Sequence, residues 1–195
     1  MDQASYFRNN PPRCIAGFIV RPTELPLAEF DGHVSISQIK TDVPAGVTIH
    51  APEHFNPIFA LFCECGGSRH YVHGYRWTNP DFHNAVVFLS PLVLECAVCG
   101  KETDLLDTDV HGYDAELGNG AATVRAKGDR VAYECANCGR QPFDIFVRFE
   151  YPDDLFDSDS PEFAGREQDL FTWFSLVGKC PQCSQMLDVA DFECA

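Results

Sequence analysis

Four close cysteine pairs stand in this chain: Cys63-Glu-Cys65, Cys96-Ala-Val-Cys99, Cys135-Ala-Asn-Cys138 and Cys180-Pro-Gln-Cys183. A thiolate is both a nucleophile and a soft metal ligand, and the setting of a pair decides between the two. A redox Cys-x-x-Cys is a single pair at a helix N-terminus, whereas four pairs flanked by strand-like sequence fit shared metal. Each pair offers two sulfurs from one tight turn. Two such turns complete a tetrahedral four-sulfur shell, the arrangement that structural zinc prefers.

Eight sulfurs therefore imply two zinc ions, with Cys63, Cys65, Cys96, Cys99, Cys135, Cys138, Cys180 and Cys183 as ligands. Order along the chain favours 63/65 with 96/99 and 135/138 with 180/183, while a crossed pairing of the middle two turns stays open. Cys63-Glu-Cys65 has a one-residue gap, which strains its turn and leaves His70 or His73 as substitute donors there; both otherwise read as ordinary strand residues. Cys14 and Cys194 lie outside the pattern and read as free thiols.

Turns of this kind must be held by antiparallel strands. Segments 58–99 and 130–183 read as two copies of one plan: strand, cysteine turn, strand, loop, strand, cysteine turn. Phe59-Ala-Leu-Phe62 enters the first turn and alternation over His70–Trp77 leaves it. Val131-Ala-Tyr-Glu134 and Asp144–Phe149 do the same in the second copy, and Leu89–Cys96 parallels Phe174–Cys180. Glycine follows three of the four pairs, where a turn back on itself needs positive φ. The Cys-x-x-Cys-Gly runs at 96–100 and 135–139 resemble the zinc-ribbon class in general. That resemblance implies a mainly β protein, a duplicated zinc ribbon with two four-cysteine sites, an N-terminal β-rich region and little helix.

The expected organisation is an N-terminal region 1–57 packed on the first ribbon, a first ribbon 58–101, a connecting region 102–129 and a second ribbon 130–195 carrying an acidic insertion, 151–169. Within the first region, 15–20, 33–39 and 47–50 read as short strands bracketed by prolines. Residues 121–126 read as a further strand, and Ser160-Pro-Glu162 has the chemistry of a helix start running to about Asp169.

Length and composition narrow the function. At 195 residues with 45% hydrophobic content the chain can bury a real core. Its net charge is −15, from 14 basic and 29 acidic residues. Two four-thiolate zinc sites would bring it to about −19, because each ion offsets only half of its ligands' charge. Phosphate binding leans on lysine and arginine, so nucleic acid is disfavoured, and an acidic field suits a basic protein partner instead. Asp153, Asp154, Leu155, Phe156, Asp157 and Asp159 in the insertion offer apolar anchors inside a negative rim. No signal-peptide pattern opens the sequence and no apolar run approaches the roughly 20 residues of a membrane span, so a cytoplasmic protein is expected.

Catalytic patterns are sparse. Nucleophile elbow, P-loop, dinucleotide fingerprint and His-Glu-x-x-His are all missing from the sequence. Asp107–Gly118 resembles a calcium loop but carries His111 and Gly118 where ligands belong. The cluster Asp104, Asp107, Asp109, His111 and Asp114 is the one candidate for a metal-dependent active site. The expected function is a non-catalytic zinc-binding protein presenting an acidic surface to another protein, for example an inhibitor or immunity-type protein against a basic partner. Two alternatives are a nucleic-acid-associated or transcription-related zinc ribbon using Arg69, Arg76, Lys101, Arg125, Lys127, Arg130, Arg140, Arg148 and Lys179, and an enzyme built on the Asp104–Asp114 cluster.

Overall fold

A computed structural model describes residues 3–23, 56–79, 85–119, 128–152, 155 and 163–195. Period-two burial builds its strands. In β7 (Phe143–Glu150) the side chains of Phe143, Ile145, Val147 and Phe149 are fully buried, while Asp144, Phe146, Arg148 and Glu150 are half-buried on the other face. The remaining strands are β1 (Ile19–Pro22), β2 (Ile58–Phe62), β3 (Arg69–Asn79), β4 (Ala85–Cys96), β5 (Glu102–Leu106), β6 (Val131–Ala132), β8 (Trp173–Lys179) and β9 (Met186–Glu193). All pair antiparallel in one curled sheet, so the mainly β expectation is met.

The sheet order is β1-β2-β7-β3-β4-β5, with β8 beside β7 and β9 beside β8. Within each copy the later strands form a simple meander: β3–β4–β5 in the first, β7–β8–β9 in the second. The opening strands are exchanged. β2 of the first copy pairs with β7 of the second, from Ile58 opposite Arg148 to Leu61 opposite Ile145. β6 of the second pairs with β3 of the first, with Ala132 opposite His73. Between these exchanged strands β3 and β7 meet directly at Arg69 opposite Asp144 and His70 opposite Phe143. That short seam is the middle of the molecule.

The core follows the seam. Leu61, Val72, Leu92, Leu94, Phe143, Ile145, Val147 and Leu176 are buried to 1% exposure or less. Aromatic edges join the copies, Phe88 to Tyr133 at 5.2 Å and Phe59 to Phe149 at 6.2 Å, and within the second copy Tyr133 lies 5.5 Å from Phe143 while Phe149 contacts both Phe171 and Phe174. Each such pair adds about 1 kcal/mol beyond the area it buries.

A smaller core joins the chain's start to its acidic insertion. Helix α1 (Gln3–Asn9) lays Phe7 against Leu155, Phe163 and Leu170, and Phe7 stacks on Tyr151 at 4.2 Å. The Tyr6 hydroxyl donates to Glu167 at 2.8 Å, a bond that together with burial pushes the phenol well above its ordinary range.

Several expectations are corrected. The strand placed over 15–20 starts at Ile19, because Arg13–Ile15 is a 3-10 turn. The buried Asp169 carboxylate causes the turn, accepting from the Arg13 amide at 2.7 Å and pairing with the Arg13 guanidinium. The helix expected up to Asp169 is, among the described residues, a 3-10 turn at Glu167–Asp169, and Gly165 with φ 81° breaks the helical path before it. β5 opens at Glu102, inside the stretch read as a connection, and closes a hairpin on β4. The strands expected at 33–39, 47–50 and 121–126 fall outside the described residues.

Exchange of opening strands makes the two copies mutually dependent. Pieces spanning 1–119 and 128–195, produced separately in reducing buffer with zinc, should each lack dispersed amide resonances and regain them when mixed. Independent folding of either piece would contradict the exchanged pairing.

Candidate metal centres

The four cysteine turns are one hydrogen-bonded structure used four times. In each, the amide of the residue that turns the chain donates to the carbonyl of the first cysteine: Gly66 to Cys63, Gly100 to Cys96, Gly139 to Cys135 and Ser184 to Cys180, all at 2.7–2.8 Å. The amide of that first cysteine then donates to the next carbonyl along, on Gly67, Lys101, Arg140 or Gln185. The donating residue sits at positive φ every time, 87°, 70°, 67° and 59° in chain order. Glycine adopts this freely, so Ser184 is the one position of the four where the geometry is imposed on a residue with a Cβ.

The one-residue gap of the first turn is absorbed without losing either bond. Its turning glycine comes one position early, and a second glycine closes the turn against the facing one. A Cβ at Gly67 would stand 2.9 Å from the Cys96 sulfur, so only glycine permits that approach. Doubled glycine after Cys65 is thus the compensation for the missing residue.

These turns meet in pairs. Cys63, Cys65, Cys96 and Cys99 form one group and Cys135, Cys138, Cys180 and Cys183 the other, with all sulfurs of a group within 4.8 Å of one another. The cross-turn contacts Cys63–Cys99, Cys65–Cys96, Cys135–Cys183 and Cys138–Cys180 are each 3.6 Å. A disulfide needs about 2.0 Å. A tetrahedral ion with metal–sulfur bonds of about 2.3 Å needs sulfur–sulfur edges of about 3.8 Å, and both groups fit that requirement. The pairing is the one that chain order favours, not the crossed one.

Backbone and side-chain donors prepare individual thiolates. Hydrogen bonds from the Asn137 side chain and the Gln185 amide hold Cys183 down to about 6. Cys96, although burial opposes its charge, is held down to about 7 by the amides of Cys99 and Val98. Their neighbours move the other way. Burial pushes Cys138 up to about 12, and Cys63, despite a backbone hydrogen bond from Cys65, reaches about 12 through burial and its three sulfur neighbours. Four thiols crowded into one small space cannot all ionise unaided, and a central dication would favour the thiolate form of its ligands.

Neither substitute donor joins a cysteine group, and both ring nitrogens of His70 are buried without a hydrogen-bond partner among the described residues. His73 Nε2 lies 2.9 Å from Glu95 Oε2, and His70 is 1% exposed with its ring edge-on to Phe18, where burial lowers its pKa. Cys14 and Cys194 are buried thiols; burial pushes the first well up and the second to about 12.

The Asp104–Asp114 cluster does not converge. Asp104 sits in β5 opposite Val93, and the residues after it close a turn on themselves: the Asp107 amide donates to His111 Nδ1 and the Asp109 amide to Asp107 Oδ1. Asp114 lies on a short helix, α2 (Tyr113–Glu116). Among the described residues, the two cysteine groups are the sets of three or more His, Cys, Asp or Glu at metal-binding distance. Of the six residues read as a partner-binding loop, Leu155 is 3% exposed inside the smaller core, which removes it as a surface anchor. Asp153, Asp154, Phe156, Asp157 and Asp159 fall outside the described residues.

Sequence reasoning found the sulfurs but missed Ser184 and Asn137, which serve the fourth turn and its thiolate. The equivalence of Ser184 with Gly100 and Gly139, four residues after the first cysteine, was the available signal. No protein family, curated protein or solved structure matches this chain.

Replacing Cys135 or Cys180 with serine leaves one group a ligand short, and structural zinc in small sites contributes on the order of 10 kcal/mol. Either variant should lose one ion and the cooperative unfolding transition of the shared core, followed by near-UV circular dichroism. A variant that melts like the parent would remove the metal assignment at that group.

Proposed function

We propose that this protein is a non-catalytic zinc-binding scaffold that presents an acidic surface to a basic protein. The observation that carries the reading is the closure of both cysteine groups. Four sulfurs on a tetrahedral ion leave no position for water or substrate, which is the coordination of a structural site. Zinc is the metal of choice because four thiolates in tetrahedral array suit it and because it undergoes no redox change of its own.

The partner class rests on charge. A net charge of −15 before metal binding sets up a field that repels phosphates and accelerates the approach of a basic protein. Cations in the cysteine-turn region already face carboxylates: Lys101 lies on Glu64, Arg130 on Glu102 and Arg148 on Glu150. Those pairs weaken the nucleic-acid alternative, since phosphate neutralisation requires cations open to the ligand. An inhibitor or immunity-type protein that covers the positive site of a toxin or nuclease is the specific form this reading takes, with Asp153, Asp154, Asp157 and Asp159 in the contact. Action in the cytoplasm belongs to the same proposal, because reducing conditions keep thiolates available to metal.

Fluorescence anisotropy at rising salt separates the readings. The zinc-loaded protein should bind members of a panel of basic proteins with a steep salt dependence and leave DNA and RNA oligonucleotides unbound. Lysine at Asp153, Asp154 and Asp157 together should weaken the protein complex by about tenfold or more. Binding to oligonucleotides alone, with basic proteins ignored, would contradict the proposal.

A further inference from the structure

The two cysteine groups have the same ligands and the same turns but different surroundings. In the first, Cys63 and Cys96 are buried while Cys65 and Cys99 are exposed; in the second, Cys138 and Cys183 are only half-exposed beside buried Cys135 and Cys180. Attack by an oxidant requires access to a thiolate, and the first group carries two of its sulfurs on exposed residues where the second carries its outer two on half-exposed ones.

Their mechanical support differs in the opposite sense. The first group hangs from four strands that are each held elsewhere: β2 lies between β1 and β7, β3 runs along β4 through nine register pairs, and β5 closes on β4. The second group depends on the turn at Cys135, whose entering strand β6 has only two register pairs, with Ala132 and Val131 against His73 and Gly74. Losing the first ion leaves a ladder in place. Losing the second frees β6, the strand of the two copies with the fewest pairs to hold it.

We infer that the first group is a peroxide-responsive thiol switch and the second a permanent structural site, an inference that rests on the zinc reading above. Two hydrogen peroxide molecules and four protons take four electrons from the four zinc-bound thiolates, two disulfides form, and one zinc ion and four waters leave. Each O–O bond that breaks accepts one electron pair from two sulfurs. The bridges are Cys63–Cys99 and Cys65–Cys96, whose sulfurs are already 3.6 Å apart and must close to about 2.0 Å. Both bridges cross between turns, so they fasten the first group in its folded arrangement, and a dithiol reductant with zinc reverses them.

The test uses the intact zinc-loaded protein and hydrogen peroxide, with a chromophoric zinc indicator, peptide mass mapping and far-UV circular dichroism read together. One zinc should be released at least about ten times faster than the other. In that interval the disulfides should be confined to Cys63, Cys65, Cys96 and Cys99 and the β signal kept. Dithiothreitol with added zinc should restore the second ion. Simultaneous release of both ions with loss of the β signal, or first oxidation at Cys138 or Cys183, would overturn the switch while leaving two zinc sites intact. Protein that carries no zinc before peroxide is added would overturn the metal reading itself.

Discussion

Four sulfurs held within 4.8 Å of one another repel strongly once ionised. At about 4 Å and an effective dielectric near 20, each pair of thiolates costs about 4 kcal/mol, and a tetrahedron has six such pairs. A dication at the centre would reverse the sign of that sum and fix the two turns that supply the sulfurs of a group. Every strand of the two copies enters or leaves one of these turns, so the sheet takes its shape from two points. The turns themselves are local and rigid, each closed by the same two backbone hydrogen bonds.

From those points the exchange of opening strands follows. Each copy places its first and second turns side by side, which directs the strand before the first turn away from its own meander. β2 finds an edge on β7 and β6 finds one on β3. The β3–β7 seam then buries Phe143 and His70 at the centre and leaves no separate hydrophobic core for either copy. Two small four-cysteine units thereby share one core, which suits a chain whose individual halves are short for independent stability.

Local grammar was legible and long-range pairing was not. The cysteine turns, their glycines, and the alternating strands β3 and β7 can be read directly, because spacing and period two are properties of neighbouring residues. The 3-10 turn at Arg13–Ile15 could not be, since it is caused by Asp169, 156 residues away. Helix α1 is similarly decided by Phe7 meeting the insertion rather than by any propensity of a seven-residue segment. β5 escaped notice because Glu102-Thr-Asp-Leu-Leu106 shows little alternation and becomes a strand by lying on β4. Leu155 was misread as a surface anchor because its neighbours in sequence are carboxylates, whereas its neighbours in space are Phe7, Phe163 and Leu170.

The sulfur spacing fits two metal ions, not disulfides, among the eight paired cysteines. Native mass spectrometry of protein purified in reducing buffer without added metal tests it most directly, because one intact mass reports bound ions and oxidised sulfurs together. The expected mass is that of the chain with two zinc ions, with Cys14 and Cys194 open to alkylation after unfolding. A metal-free mass lowered by the hydrogens lost to disulfides would contradict it.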